Sequence, residues 1–174
     1  MDVTAAEMSV DELDAVIDYF HDAPAEHLEI LGVDPTRLPR RDRWQAMLED
    51  DLQQPYPQRE RLWVTWRHSG DMVGFSSVDR VAFGLHAFMH LHIIDDGQRT
   101  GGVGSAAVTA SLPIFFERLE LVRLYCEPNA FNVAPNRTVQ RCGFRYVKTH
   151  MTVPGPLNYH QAVTRWVFEP RPER

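Results

Sequence analysis

The run from His92 to Val108, HIIDDGQRTGGVGSAAV, places Gly101, Gly102 and Gly104 between an apolar segment and a row of good helix formers. A strand that enters a helix through such a turn has few folded solutions. Glycine reaches backbone conformations closed to other residues, and a turn without side chains lets a ligand approach the N–H groups that a helix N-terminus leaves unpaired. The run predicts a strand-turn-helix unit able to cradle a diphosphate. The alternative is a plain tight turn.

Two phosphate-loop patterns are separable by spacing. The Walker pattern G-x-x-x-x-G-K-[ST] is absent, since no Gly-Lys pair occurs in the chain. A mononucleotide kinase or ATPase is thereby disfavoured. The dinucleotide pattern G-x-G-x-x-G/A is met by Gly102, Gly104 and Ala107, and Glu127 follows about 20 residues on, where a ribose-binding acid would sit. A NAD(P)-dependent oxidoreductase therefore stays open. Against it, alternating strands precede the glycines and only about one further βα unit follows them.

Composition narrows the setting. A chain of 174 residues with 44% hydrophobic content suits one core, and residues 1–174 read as a single domain. The net charge of -6 argues against non-specific binding to nucleic acid or an anionic membrane, both of which rely on clustered Lys and Arg. The N-terminus is acidic where a signal peptide would be basic, and no apolar run approaches a membrane span. Cys126 and Cys142 show no C-x-x-C spacing. Free thiols in a cytoplasmic protein are expected.

Ser9 and Glu12 have capping-box spacing, and Leu13, Val16, Ile17 and Phe20 mark one face of the helix that follows. Between Pro24 and Pro39 there is room for one short helical piece, AEHLEIL; a clearer helix runs from about Arg41 to Leu52, with Trp44, Met47 and Leu48 on one side. RLWVTWRH and DMVGFSSV, joined by Ser69 and Gly70, then read as an antiparallel hairpin, and FMHLHII as a third strand. Beyond the glycines come a helix from about Gly102 to Leu119, the strand LVRLYCE, a short helix ending at RCGF, and closing strands near RYVKTHMTV and AVTRWVF.

Arg99-x-x-Gly102-x-Gly104 after a strand resembles the R/Q-x-x-G-x-G/A coenzyme A loop of the GCN5-related N-acetyltransferase (GNAT) superfamily. A second segment, Asn132 to Phe144 (NVAPNRTVQRCGF), resembles that superfamily's later motif, in which an Asn opens a short helix and Gly-Phe closes it. Asn132, Arg137 and Gly143-Phe144 fall at the spacings of the branch that includes ribosomal-protein N-terminal acetyltransferases. The resemblance implies an α/β (α+β) fold: a mixed, mostly antiparallel sheet with helices on both faces, splayed between FMHLHII and LVRLYCE. Acetyl-CoA would lie in the splay as cosubstrate, with no metal.

The resemblance also implies roles. Backbone groups of Ile93, Ile94 and Asp95 would pair with the pantetheine arm, and amides of Arg99, Thr100, Gly101, Gly102, Val103, Gly104 and Ser105 would hold the pyrophosphate. Asn132 would contact the pantetheine side, and Pro135 and Asn136 begin the helix beside it. The partner is then an amine acceptor, with a homodimer allowed for. A non-catalytic CoA-binding module is a further alternative. Many members carry a tyrosine four residues before the helix-closing glycine, suited to protonating the CoA sulfur; this chain has Val139, leaving Tyr125, Tyr159 or water to serve.

Acyl transfer to an amine needs a base, because an alkylamine titrates near 10. The candidates are His90 and His92, two apart on one strand and so on one face, and Glu127 at the end of the facing strand. Core or surface roles are the bland alternative for all three; His86, His90 and His92 as metal ligands lack a spaced acidic or cysteine partner. Residues from about His21 to Arg43 and Val153 to Trp166 are expected to shape the acceptor site, with Tyr159, His160 and Trp166 able to form an aromatic wall. The acidic run LEDD could draw a cationic amine.

Overall fold

The computed structural model describes residues 2–94 and 101–170. Seven strands form a single sheet: β1 (Val3–Glu7), β2 (Leu62–His68), β3 (Asp71–Ala82), β4 (His86–Ile93), β5 (Arg123–Cys126), β6 (Arg145–Thr152) and β7 (Gln161–Phe168). Their order is β1-β2-β3-β4-β5-β7-β6, and every neighbouring pair is antiparallel except β4 and β5. Among the described residues five α-helices accompany it: α1 (Leu13–His21), α2 (Ala25–Leu31), α3 (Arg41–Gln53), α4 (Val103–Leu119) and α5 (Val133–Arg141). The doubly wound parallel sheet that a dinucleotide enzyme would need is not formed.

Local chemistry explains the elements. The Glu12 carboxylate accepts from the Ser9 amide at 2.9 Å, capping a 3-10 turn that leads into α1, and Leu13, Val16, Ile17 and Phe20 are all buried as their spacing predicts. Ser69 and Gly70, at φ of 53° and 92°, make the two-residue turn of the β2–β3 hairpin. On α3, Trp44 and Leu48 are buried, whereas Met47 stands at the rim of that face, 39% exposed. β1 is not anticipated by the sequence; VTAAE is short and alanine-rich, and it becomes a strand by pairing with β2.

Apolar clusters cover both faces of the sheet. One joins Val64, Trp66, Val78, Met89 and Leu124 to Phe115 and Leu119 of α4; the other joins Trp63 and Phe75 to α1, α2 and α3. Each fully buried Phe or Leu contributes about 1.5–3 kcal/mol. The first cluster contains one polar chain, in which the Trp66 indole donates to Ser111 Oγ at 2.8 Å and that hydroxyl donates to the Ala107 carbonyl at 2.9 Å.

The sheet opens where function is expected. β4 and β5 pair only from His86–Arg123 to Met89–Cys126; β5 ends there, while β4 runs on to Ile93. The Ile94 amide donates to Val73 on the β3 side at 2.9 Å. Strand alternation therefore turns the Leu91 and Ile93 peptide groups toward the opened edge.

Candidate active site

Two cavities meet at the splay. The first, of about 310 Å3, is lined by Leu91, His92 and Ile93 of β4, by Gly101, Gly102, Gly104 and Ser105, and by Asn132, Pro135 and Thr138 of α5 and its cap. The glycines divide the labour. Gly101 and Gly102 sit at φ of 78° and 86°, in the left-handed region, and Gly102 caps the seventeen-residue α4. Gly104 lies in the first turn, where a Cβ would come within 3.3 Å of Ile93 Cδ1. The result is a helix N-terminus whose amides face a cleft with no side chain in the way, which suits a diphosphate.

The sequence candidates divide as well. Ile93, Gly101, Gly102, Gly104, Ser105, Asn132 and Pro135 are brought together around this cleft. Ile94 turns its amide to β3, and Val103 is buried against the α4 cluster. Asn136 holds the fold together: its Nδ2 donates to the Asn129 and Asn132 carbonyls, and its Oδ1 accepts from the Trp166 indole at 2.8 Å. Asp95, Arg99 and Thr100 lie outside the described residues. Val139 is fully buried beneath α5.

The second cavity, of about 220 Å3, lies on the α1–α3 side of the sheet and contains all three base candidates, His90, His92 and Glu127. His90 Nε2 lies 3.0 Å from Asp79 Oδ2. Asp79 stays in register with Phe88 on the face of Ser77 and Phe75; a bulge follows it, the β3–β4 register slipping between Asp79 and Ala82 with Arg80 at φ 47°. Burial pushes the Asp79 carboxyl up, but His90 and Arg80 outweigh it and hold the group below the usual carboxylate value. Gly155 of the β6–β7 loop passes directly above; a Cβ there would sit 3.2 Å from His90 Cε1 and 3.4 Å from Asp79 Oδ2.

Glu127 is clamped rather than loose. Arg165 Nε donates to it at 2.6 Å, Arg80 Nη1 at 3.1 Å, and His150 Nε2 lies 3.4 Å away. The Arg80 guanidinium also covers the Phe88 ring at 3.6 Å.

His92 lines both cavities. Its ring packs among Tyr19, Phe20 and Phe75 at centroid distances of 5.2, 5.1 and 5.0 Å. This apolar burial, with smaller contributions from His90 and His27, pushes its imidazole down to about 3. His92 is therefore neutral at physiological pH.

Both segments expected to shape the acceptor site line the second cavity, through Leu31, Val33, Arg37 and Pro39 on one side and Pro154, Pro156, Leu157, Asn158 and Gln161 on the other. The aromatic wall differs from expectation. Tyr159 donates its hydroxyl to the Glu29 carbonyl at 3.1 Å, Trp166 bonds Asn136, and the aromatic surface comes from Phe20, Trp44 and Trp63. Neither Tyr125, stacked on Phe88, nor Tyr159 lines either of these two cavities. Within LEDD, Asp51 is buried against Arg61. Asp79 and Arg80 are missed by the sequence reading; Asp79 continues the alternation of Phe75 and Ser77 onto the face of His90, and two charged residues before Val-Ala are the signal of the bulge that re-aims Arg80. Tyr19 and His27, joined at 3.0 Å and lining the cofactor cleft, carry no such signal.

Residues 6–145 match the family model of the Acetyltransferase (GNAT) domain. The chain belongs to the GNAT acetyltransferase family. Solved structures similar to it include the ribosomal L7/L12 α-N-protein acetyltransferase RimL with coenzyme A (TM-score 0.74, 14% identity, covering 96% of this chain and 93% of that one). Spermidine N-acetyltransferase from Vibrio cholerae with CoA and spermine gives 0.76 at 12% identity, covering 96% and 95%. Aminoglycoside acetyltransferase AAC(6')-Ib with ribostamycin and coenzyme A gives 0.72 at 15%, covering 97% and 94%. No curated protein matches the sequence. The splayed GNAT sheet expected from the two motifs is thus present, and residues 6–145 are a GNAT acetyltransferase domain. Among the described residues no helix is long and apolar enough to cross a membrane, and no group of three or more His, Cys, Asp or Glu could hold a metal ion.

Proposed function

We propose that this protein, acting as a single cytoplasmic domain, passes the acetyl group of acetyl-CoA directly to a primary amine, either a small molecule or a protein N-terminus, seated in the cavity over Asp79 and His90. The observation that carries this reading is His92, which borders the cofactor cleft and the acceptor cavity at once. A direct transfer needs the two cavities to adjoin, as they do beside His92.

Acetyl-CoA, when bound, supplies the activated thioester. Amides from Gly101 to Ser105 hold its pyrophosphate, helped by the helix N-terminus. The Leu91 and Ile93 peptide groups at the opened edge hold the pantetheine arm and give the thioester carbonyl a donor. Asn132 and Pro135 close the other side.

His90 takes the proton of the incoming ammonium. The Asp79 carboxylate, 3.0 Å from Nε2, stabilises the imidazolium once formed. Asp79 is the positioning residue. Glu127, with two guanidinium partners, is an electrostatic anchor for the bulge, and neutral His92 flanks the junction of the two cavities without adding a competing cation. Nucleic acid and membranes are not partners in this reading.

The test is amine-dependent release of CoA thiol. His90→Gln is expected to lower kcat by about 100-fold or more with acetyl-CoA affinity unchanged, and His92→Ala to lower turnover without moving the pH dependence. An unchanged pH–rate profile in His90→Gln would transfer the role of base to another group.

A further inference from the structure

The acceptor cavity selects among amines by its charge balance. Its lining carboxylates are Asp79 and Glu127, and its lining guanidinium groups are Arg37 and Arg61. Each carboxylate is already paired, Asp79 with His90 and Arg80, Glu127 with Arg80 and Arg165. Arg37 and Arg61 are paired in turn with Asp34 and Asp51. Among the described residues, no lining carboxylate is left for a second positive charge.

The remaining wall is apolar. Trp44 and Leu48 of α3 and Trp63 of β2 face the cavity with Pro154 and Leu157 of the β6–β7 loop. At about 220 Å3 it is smaller than the roughly 300–1,000 Å3 that hold drug-sized ligands. The Trp63 indole N–H is buried and has no hydrogen-bond partner among the described residues.

We infer, on the reading of the site proposed above, that the acceptor is a compact monoamine with an apolar body, an arylalkyl or branched alkyl amine, and that polyamines and aminoglycosides are excluded. One ammonium is tolerated because it loses its proton to His90 during transfer. A second would stay charged against an apolar wall that offers it no free carboxylate, where an unpaired charge is penalised. An aryl or branched alkyl body meets the tryptophan and proline surface, and an aminoglycoside brings several further ammonium groups that this lining leaves unpaired.

The experiment compares 2-phenylethylamine and isopentylamine with spermine, kanamycin and a short peptide bearing a free N-terminus, using the full chain with acetyl-CoA. Wild type is expected to favour the two apolar monoamines over spermine by about 100-fold in kcat/KM. Met47→Glu places an unpaired carboxylate at the exposed rim of the cavity. It is expected to raise kcat/KM for spermine about tenfold and lower that for 2-phenylethylamine. A wild-type preference for spermine, kanamycin or the peptide overturns the inference while leaving the acetyltransferase reading intact. Should no amine be acetylated, the proposed reaction fails, and calorimetric titration of the same amines into the protein judges the inference by itself. Tighter binding of 2-phenylethylamine than of spermine supports it; the reverse order, or binding of neither, overturns it.

Discussion

Asp79 and His90 face each other at 3.0 Å across the β3–β4 ladder, where strand alternation places the carboxylate on the face of the acceptor cavity and the bulge that follows, with Arg80 at positive φ, brings that guanidinium to the same side. A ladder without that bulge would keep strict alternation and send Arg80 to the opposite face. Asp79→Asn removes the charge that stabilises protonated His90 while keeping the shape. It is expected to lower kcat by about 10- to 100-fold and shift the acidic limb of the pH–rate profile, with acetyl-CoA affinity retained. An unmoved limb would mean that the pair is structural.

The glycine turn makes a separable prediction. Gly102→Val is expected to reduce acetyl-CoA affinity by at least about 100-fold, because it places a branched side chain in the cradle and strains a left-handed residue by about 1–2 kcal/mol. Gly70→Ala serves as the control. Gly70 has a similar φ of 92° but open space around it, so its substitution should cost comparable stability and leave coenzyme binding untouched. Calorimetric titration of both variants checks the difference.

How much of this was legible in sequence follows from the range of the interactions. The capping box at Ser9, the two-residue turn at Ser69-Gly70 and the glycine cradle are local, and each appears where the residues place it. The splay was reachable only through the resemblance of two motifs, since the pairing of β4 with β5 joins residues far apart in the chain. β1 was hidden because its strand character comes from β2. The Asp79–Arg80–Glu127–Arg165 network was hidden for the same reason: a bulge on β3 meets the residue after β5 and the middle of β7.

In the core, Ser111→Ala is expected to cost about 1–3 kcal/mol, since the Trp66 indole N–H would lose its acceptor inside a closed apolar cluster. Urea unfolding of the two proteins measures it. Activity per folded molecule should not change.

His92 links stability to pH. Its folded-state value is about 3 against 6.5 for the unfolded chain, so below pH 6.5 the unfolded state binds a proton that the folded state does not. The stability tied to this neutral imidazole is complete above pH 6.5 and declines as pH falls toward 3. Between pH 6.5 and 5.0 the loss amounts to roughly 1.5 kcal/mol at most. His92→Phe is expected to lose less stability than wild type over that interval, as measured by urea unfolding at the two pH values.

The most direct measurement is the thermal shift of the purified protein with acetyl-CoA, CoA, NAD and NADP, because a ligand bound only by the folded state raises its stability by mass action. Stabilisation by acetyl-CoA and CoA, abolished in Gly102→Val, is the predicted result. Stabilisation by NAD or NADP with no response to either CoA form would contradict the assignment of the cleft and everything built on it.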